Sequence, residues 1–139
     1  MWRKPTEDDL AATLSQRELD AYRRSGSAGG AEPVEDLLAR TAQMVRGYCR
    51  ANHGVVMCRT EGTIPESLVS PAMDYAAYDV LKRLPAPVIE DRRRARDEAQ
   101  KLFERVANGD FTPEAGEGGD PDAGRFAGPV FNRPPRRIL

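Results

Sequence analysis

The chain has 139 residues, and its 21 basic and 22 acidic side chains leave a formal charge of −1, so no global field draws it toward nucleic acid or an anionic membrane. That length supports one small domain with a thin margin of stability. No run approaches the roughly 18 apolar residues of a membrane span, Met1 to Pro5 leads into Glu7, Asp8 and Asp9 rather than a signal-peptide core, and a cytosolic protein or a component assembled in the cytosol is expected.

Thr6 followed by Asp9 and Ser15 followed by Glu18 have the spacing of helix-opening boxes, and each precedes apolar contacts at Leu10, Leu14, Leu19 and Tyr22. Two short helices, or one bent helix, are predicted there. Ser25 to Gly30 reads as a loop. Pro33 then suits the first turn of an amphipathic helix carrying Val34, Leu37, Leu38, Thr41, Val45, Tyr48 and Cys49 on one stripe. This helix is expected to stop between Asn52 and Gly54, residues that tolerate a left-handed turn.

Val55 to Thr63 is too interrupted for a strand prediction and reads as a structured loop with room for one hairpin-like extension. Pro65 reopens the helical pattern, and Leu68, Met73, Ala76, Ala77, Val80, Leu81 and Leu84 give a face broad enough for a central helix, with Pro71 near its first turn. Pro85-Ala86-Pro87 ends it. A last helix runs from about Glu90 to Asn108, with Ala95, Ala99, Leu102 and Val106 as its apolar line, Phe103 beside them and Asn108-Gly109 as its stop. The expected fold is therefore all-α: a small helical bundle, residues 1–111, with a mid-chain loop insertion, followed by a long extended C-terminal arm, residues 112–139.

Little in the body points to chemistry. Arg92, Arg93, Arg94 and Arg96 form a dense basic cluster, but acids at spacing four along the same helix, such as Arg93 with Asp97 and Arg94 with Glu98, predict a mutually neutralised, solvated face. Asp74, Tyr75, Tyr78 and Asp79 read as polar groups at the edge of the bundle. Cys49, His53 and Cys58 have the form C-x3-H-x4-C, yet a structural zinc site takes four ligands and no fourth is at hand, so no metal and no cofactor is expected. No nucleophile elbow, phosphate loop or dinucleotide fingerprint occurs, and an enzyme is not expected.

The arm is different. It is too rich in Gly and Pro for a helix and too poor in apolar groups for a core of its own, yet it carries Phe126, Val130, Phe131, Ile138 and Leu139 among prolines and arginines. Four acids, from Glu114 to Asp122, precede Arg125, Arg133, Arg136 and Arg137. Such a segment docks while extended, so Phe126, Val130, Phe131, Arg133, Arg136, Arg137, Ile138 and Leu139 are the candidate partner-binding residues.

The order of PVEDLLARTAQMVRGYCR, a loop, IPESLVSPAMDYAAYDVLKRL, EDRRRARDEAQKLFERVANGD and a trailing arm resembles the small head-to-tail connector, or adaptor, proteins of Mu-like tailed bacteriophages. The resemblance implies a non-enzymatic virion subunit that joins a homo-oligomeric ring beneath the portal. It implies the portal protein and tail-completion proteins as partners, with DNA only as cargo through the channel. Ser25 to Gly30 and Val55 to Thr63 depart from the pattern. The alternatives are a small helical DNA-binding or packaging-associated protein using Arg92 to Arg96, and a metal or redox module at Cys49, His53 and Cys58.

Overall fold

Both N-terminal helices begin where the sequence carries a cap. In the computed structural model, which describes residues 1–27, 32–84, 87 and 89–116, helix α1 spans Glu7–Ala11 and α2 spans Gln16–Ser27. The Thr6 amide donates to Asp9 Oδ2 at 2.7 Å while the Asp9 amide donates to Thr6 Oγ1 at 3.4 Å. Ser15 and Glu18 make the same reciprocal pair at 3.0 and 3.2 Å. Each box satisfies amides that the first turn leaves without carbonyl partners.

Helix α3, Val34–Ala51, buries Val34, Leu37, Leu38, Thr41, Ala42, Val45, Arg46 and Cys49. It does not stop in the left-handed turn that Asn52 to Gly54 led us to expect: Asn52 is extended, with φ −95° and ψ 109°, and its side-chain oxygen accepts from the Gly54 amide at 2.9 Å. A side-chain turn, not a glycine conformation, redirects the chain.

After the loop, a short 3-10 turn at Glu66–Leu68 leads into α4, Val69–Leu81, and α5 spans Glu90–Ala107. Helix α4 contacts α1, α2, α3 and α5, so it occupies the centre of the fold, as its apolar breadth predicts. Its alanines 72, 76 and 77 are buried and let neighbouring helices approach closely. Asp79 reaches the edge of α4, where Arg40 of α3 meets it at 2.5 Å and Glu32 at 2.6 Å. Burial pushes the Asp79 carboxyl up, but the bonds from Arg40 and Lys82 outweigh this and hold it below the usual carboxylate range.

The apolar face of α5 keeps three of the five expected residues at its centre and is led by Phe103 and not by Leu102. Ala99, Phe103 and Val106 are buried, whereas Ala95 and Leu102 are half-buried. The helix ends as predicted: Gly109 adopts φ 86°, and the amides of Asp110 and Phe111 return to the Arg105 carbonyl at 2.9 and 3.3 Å.

The molecule is mostly helical, and strand among the described residues is confined to one short antiparallel pair, β1 (Trp2–Arg3) with β2 (Ile64–Pro65), in register Trp2 to Pro65 and Arg3 to Ile64. The Val55–Thr63 loop thus forms no hairpin of its own. Its exit pairs with the start of the chain. Arg3 extends the join by a fork onto Asp9, at 2.7 and 2.9 Å, and by a bond to Glu66 at 2.7 Å, and the Arg3 bonds hold the Asp9 carboxyl down at about 2. No described helix is long and apolar enough to cross a membrane.

Candidate functional site

The chain does not leave the body where its composition changes. Residues 112–116 lie against it, so the bundle extends past Phe111 to Gly116. Asn52, 7 % exposed, donates to the Phe111 carbonyl at 3.4 Å and to Thr112 Oγ1 at 3.3 Å. Pro113 is buried. The Trp2 indole, 3 % exposed, donates to the Glu114 carbonyl at 2.7 Å, which gives a buried N–H the acceptor it needs. The Glu114 carboxylate accepts from the Ser67 hydroxyl at 2.6 Å and from the Ser67 amide at 3.2 Å. Partial burial raises the Glu114 carboxyl, but the Ser67 bonds prevail and leave it below the ordinary range. Last, the Gly116 amide donates to the Val56 carbonyl at 2.7 Å.

The loop under this mooring is built around one buried cation. Arg46, 5 % exposed, donates to the carbonyls of Cys58 at 2.9 Å, Thr63 at 2.9 Å and Thr60 at 3.3 Å, and to the Thr63 hydroxyl at 3.1 Å. Its guanidinium carbon lies 5.7 Å from the centre of the Trp2 ring. The loop thereby presents the Val56 carbonyl and the backbone of Met57 and Cys58 to Gly116. Gly116 is pressed so close that a β-carbon there would lie 2.2 Å from the Cys58 nitrogen and 2.7 Å from the Met57 carbonyl carbon. Both are backbone atoms and neither can step aside. Gly116→Ala is therefore expected to lift the root of the arm, costing about 1–3 kcal/mol and moving the emission of the chain's one tryptophan as its indole loses Glu114. An unchanged melting curve and unchanged tryptophan emission would show that Gly116 is not seated there.

The predicted partner-binding residues, Phe126, Val130, Phe131, Arg133, Arg136, Arg137, Ile138 and Leu139, lie outside the described residues, as does the Ala28–Gly30 part of the expected loop. The mooring itself, Trp2, Asn52, Ser67, Glu114 and Gly116, was not anticipated from sequence. Its one local signal was Trp2, a large amphipathic ring near the start of the chain whose N–H demanded a distant acceptor.

The basic cluster of α5 takes a different form from the solvated face expected. Arg92 turns inward and donates to the Thr13 carbonyl at 2.7 Å, and Arg96 lies over the rings of Tyr75 and Tyr78, 4.9 and 5.6 Å from their centres. Arg93 and Arg94 stay exposed and pair at spacing three, with Glu90 at 3.7 Å and Asp91 at 3.6 Å, rather than at spacing four. Two of the four cations are thus engaged with the body, and two are exposed with acids beside them.

Cys49 and Cys58 are buried free thiols while His53 is exposed, and among the described residues no three acids, cysteines or histidines gather as metal ligands. Burial pushes the Cys49 thiol up to about 11, whereas a bond with Thr63 lowers that of Cys58. No protein family matches the chain, and neither a curated protein nor a solved structure is similar enough to it to count as a match.

Proposed function

We propose that the protein is a structural virion subunit, a head-to-tail connector that joins a ring beneath the portal and grips the portal or an adjacent subunit with its C-terminal arm. The reading draws its family from the order of helices and arm in the sequence. The observation that carries it is the mooring of residues 112–116 on Trp2, Asn52, Ser67 and Val56. A fixed root shortens the free tether of a strap and so raises the effective concentration of the residues beyond it. Here the segment bearing Phe126, Phe131 and the terminal arginines starts from a defined point on the body. The portal protein and tail-completion proteins are the partners under this reading, and DNA passes as cargo. The inward turn of Arg92 and Arg96 removes half of the cluster on which direct DNA binding would depend.

The test is a truncation placed by the structure. Deleting residues 117–139 is expected to leave the helical circular dichroism and melting midpoint of the free subunit unchanged, because every described contact of the arm precedes Glu117. Binding to the portal and formation of connected particles should fail. A cut before Pro113 would confuse the result, since it also removes a buried proline and the acceptor of the Trp2 indole. Portal binding and complete particles formed by the 1–116 chain would overturn the proposal.

A further inference from the structure

An open groove of about 470 Å³ lies between the N-terminal segment, the first turns of α3 and the turn at Glu61-Gly62. Leu38 and Ala39 contribute apolar lining, and Lys4, Glu7, Glu35 and Glu61 contribute charge. Glu7 is paired with Arg23. Glu35 and Glu61 are exposed and have no ion-pair partner among the described residues. We propose that this groove receives the proline-arginine end of the chain's own arm, Asn132 to Leu139, in the free subunit. The inference rests on the connector reading only in naming that same end as the part later handed to the portal.

Three observations select this occupant. The first is charge: the described lining offers two unpaired carboxylates against the one ammonium of Lys4, a net negative groove, and the arm brings Arg133, Arg136 and Arg137 with Ile138 and Leu139 behind them. The second is shape. Pro134-Pro135 favours the polyproline II conformation, whose three residues per turn put Arg133 and Arg136 on one side about 9 Å apart, and an extended prolyl segment loses little entropy on entering an open groove with apolar lining. The third is reach. The arm leaves the body beside Cys58, and the groove's turn at Glu61-Gly62 belongs to the same loop, at most about 13 Å further along. The chain between Gly116 and Asn132 can extend roughly 50 Å, so it spans that gap with slack. Closing such a loop costs little more than closing a shorter one, and it places the arm's end near the groove at an effective concentration on the order of millimolar. At low protein concentration the chain's own end therefore outcompetes that of a second copy.

The test uses the full chain without portal, with benzoylphenylalanine in place of Phe131, irradiated in dilute solution and read by peptide mass mapping. Cross-links within one chain to the segments holding Glu35 to Gln43 or Lys4 to Glu7 are expected. The double substitution Glu35→Lys with Glu61→Lys should lower their yield roughly three- to tenfold, the effect of reversing two exposed pairs, without moving the melting midpoint. Salt raised to about 1 M, where the screening length falls to about 3 Å, should lower it likewise. Cross-links to the groove only in covalent dimers would make a second copy the occupant and overturn the self-docking. Cross-links elsewhere, none at all, or a yield indifferent to the double substitution would also overturn it. A chain that binds portal but gives no groove cross-link sinks this inference alone, and one that cross-links in the groove but fails to bind portal sinks only the connector reading.

Discussion

Replacing Phe103 by alanine is expected to remove about 3–5 kcal/mol of stability, the range for deleting a fully enclosed aromatic ring together with the cavity it leaves. Phe103 is 0 % exposed and sits where α3, α4 and α5 meet. Its ring centre lies 5.7 Å from that of Tyr48 in a stacked arrangement and 6.3 Å from that of Tyr75 in a tilted one. Such pairs contribute beyond the area they bury. A domain of this size has only about 5–15 kcal/mol in total, so the variant should unfold at much lower urea. Leu102→Ala is the control. That leucine is half-buried, and its truncation should cost no more than about half as much. Equal losses at the two positions, measured by chemical denaturation, would mean that α5 presents the face its sequence spacing predicts and not the one described above.

Arg46→Met should be the second most damaging change in the body, at about 2–4 kcal/mol. Methionine keeps the length of the aliphatic stem but removes the guanidinium donors to the carbonyls of Cys58 and Thr63, leaving the Thr60 carbonyl with the Thr63 hydroxyl at 2.6 Å. The Cys58 and Thr63 carbonyls are held in the loop and lose their Arg46 donors when the guanidinium goes. Arg46→Lys should rescue little, because a single ammonium cannot span carbonyls that the planar fork bridges together. The consequence should spread to the arm. With the loop slackened, the Val56 carbonyl no longer meets the Gly116 amide, and hydrogen exchange should quicken at residues 55–63 and at Gly116 in the same experiment. Unaltered exchange at Gly116, with a melting midpoint like that of the parent chain, would show that Arg46 does not organise the surface on which the arm is moored.

Local chemistry was legible in the sequence. The Thr6 and Ser15 boxes, the Pro33 start, the Gly109 stop and the apolar period of α3 and α4 act through backbone atoms within a turn or two, so the residues that encode them stand side by side in the chain. Composition also marked a change of character after Phe111, although contacts with the body continue five residues further, to Gly116. The candidate binding residues rest on composition and lie outside the described residues.

What only the tertiary structure decided depends on residues far apart in sequence. The phase of α5 could not be read from its own spacing, because Leu102 and Phe103 are adjacent and either can lead an apolar stripe. The aromatic rings of Tyr48 and Tyr75, supplied by α3 and α4, select Phe103. A cation on the apolar stripe of α3 gave no sign that it would hold three carbonyls of a loop 12 to 17 residues away. Trp2 could not announce that its acceptor would be the carbonyl of Glu114, 112 residues further on. Hydrophobic period and caps are fixed by neighbours in the chain. Buried donors and acceptors are satisfied by whichever groups the packed helices bring within about 3 Å, and that choice exists only once the fold has formed.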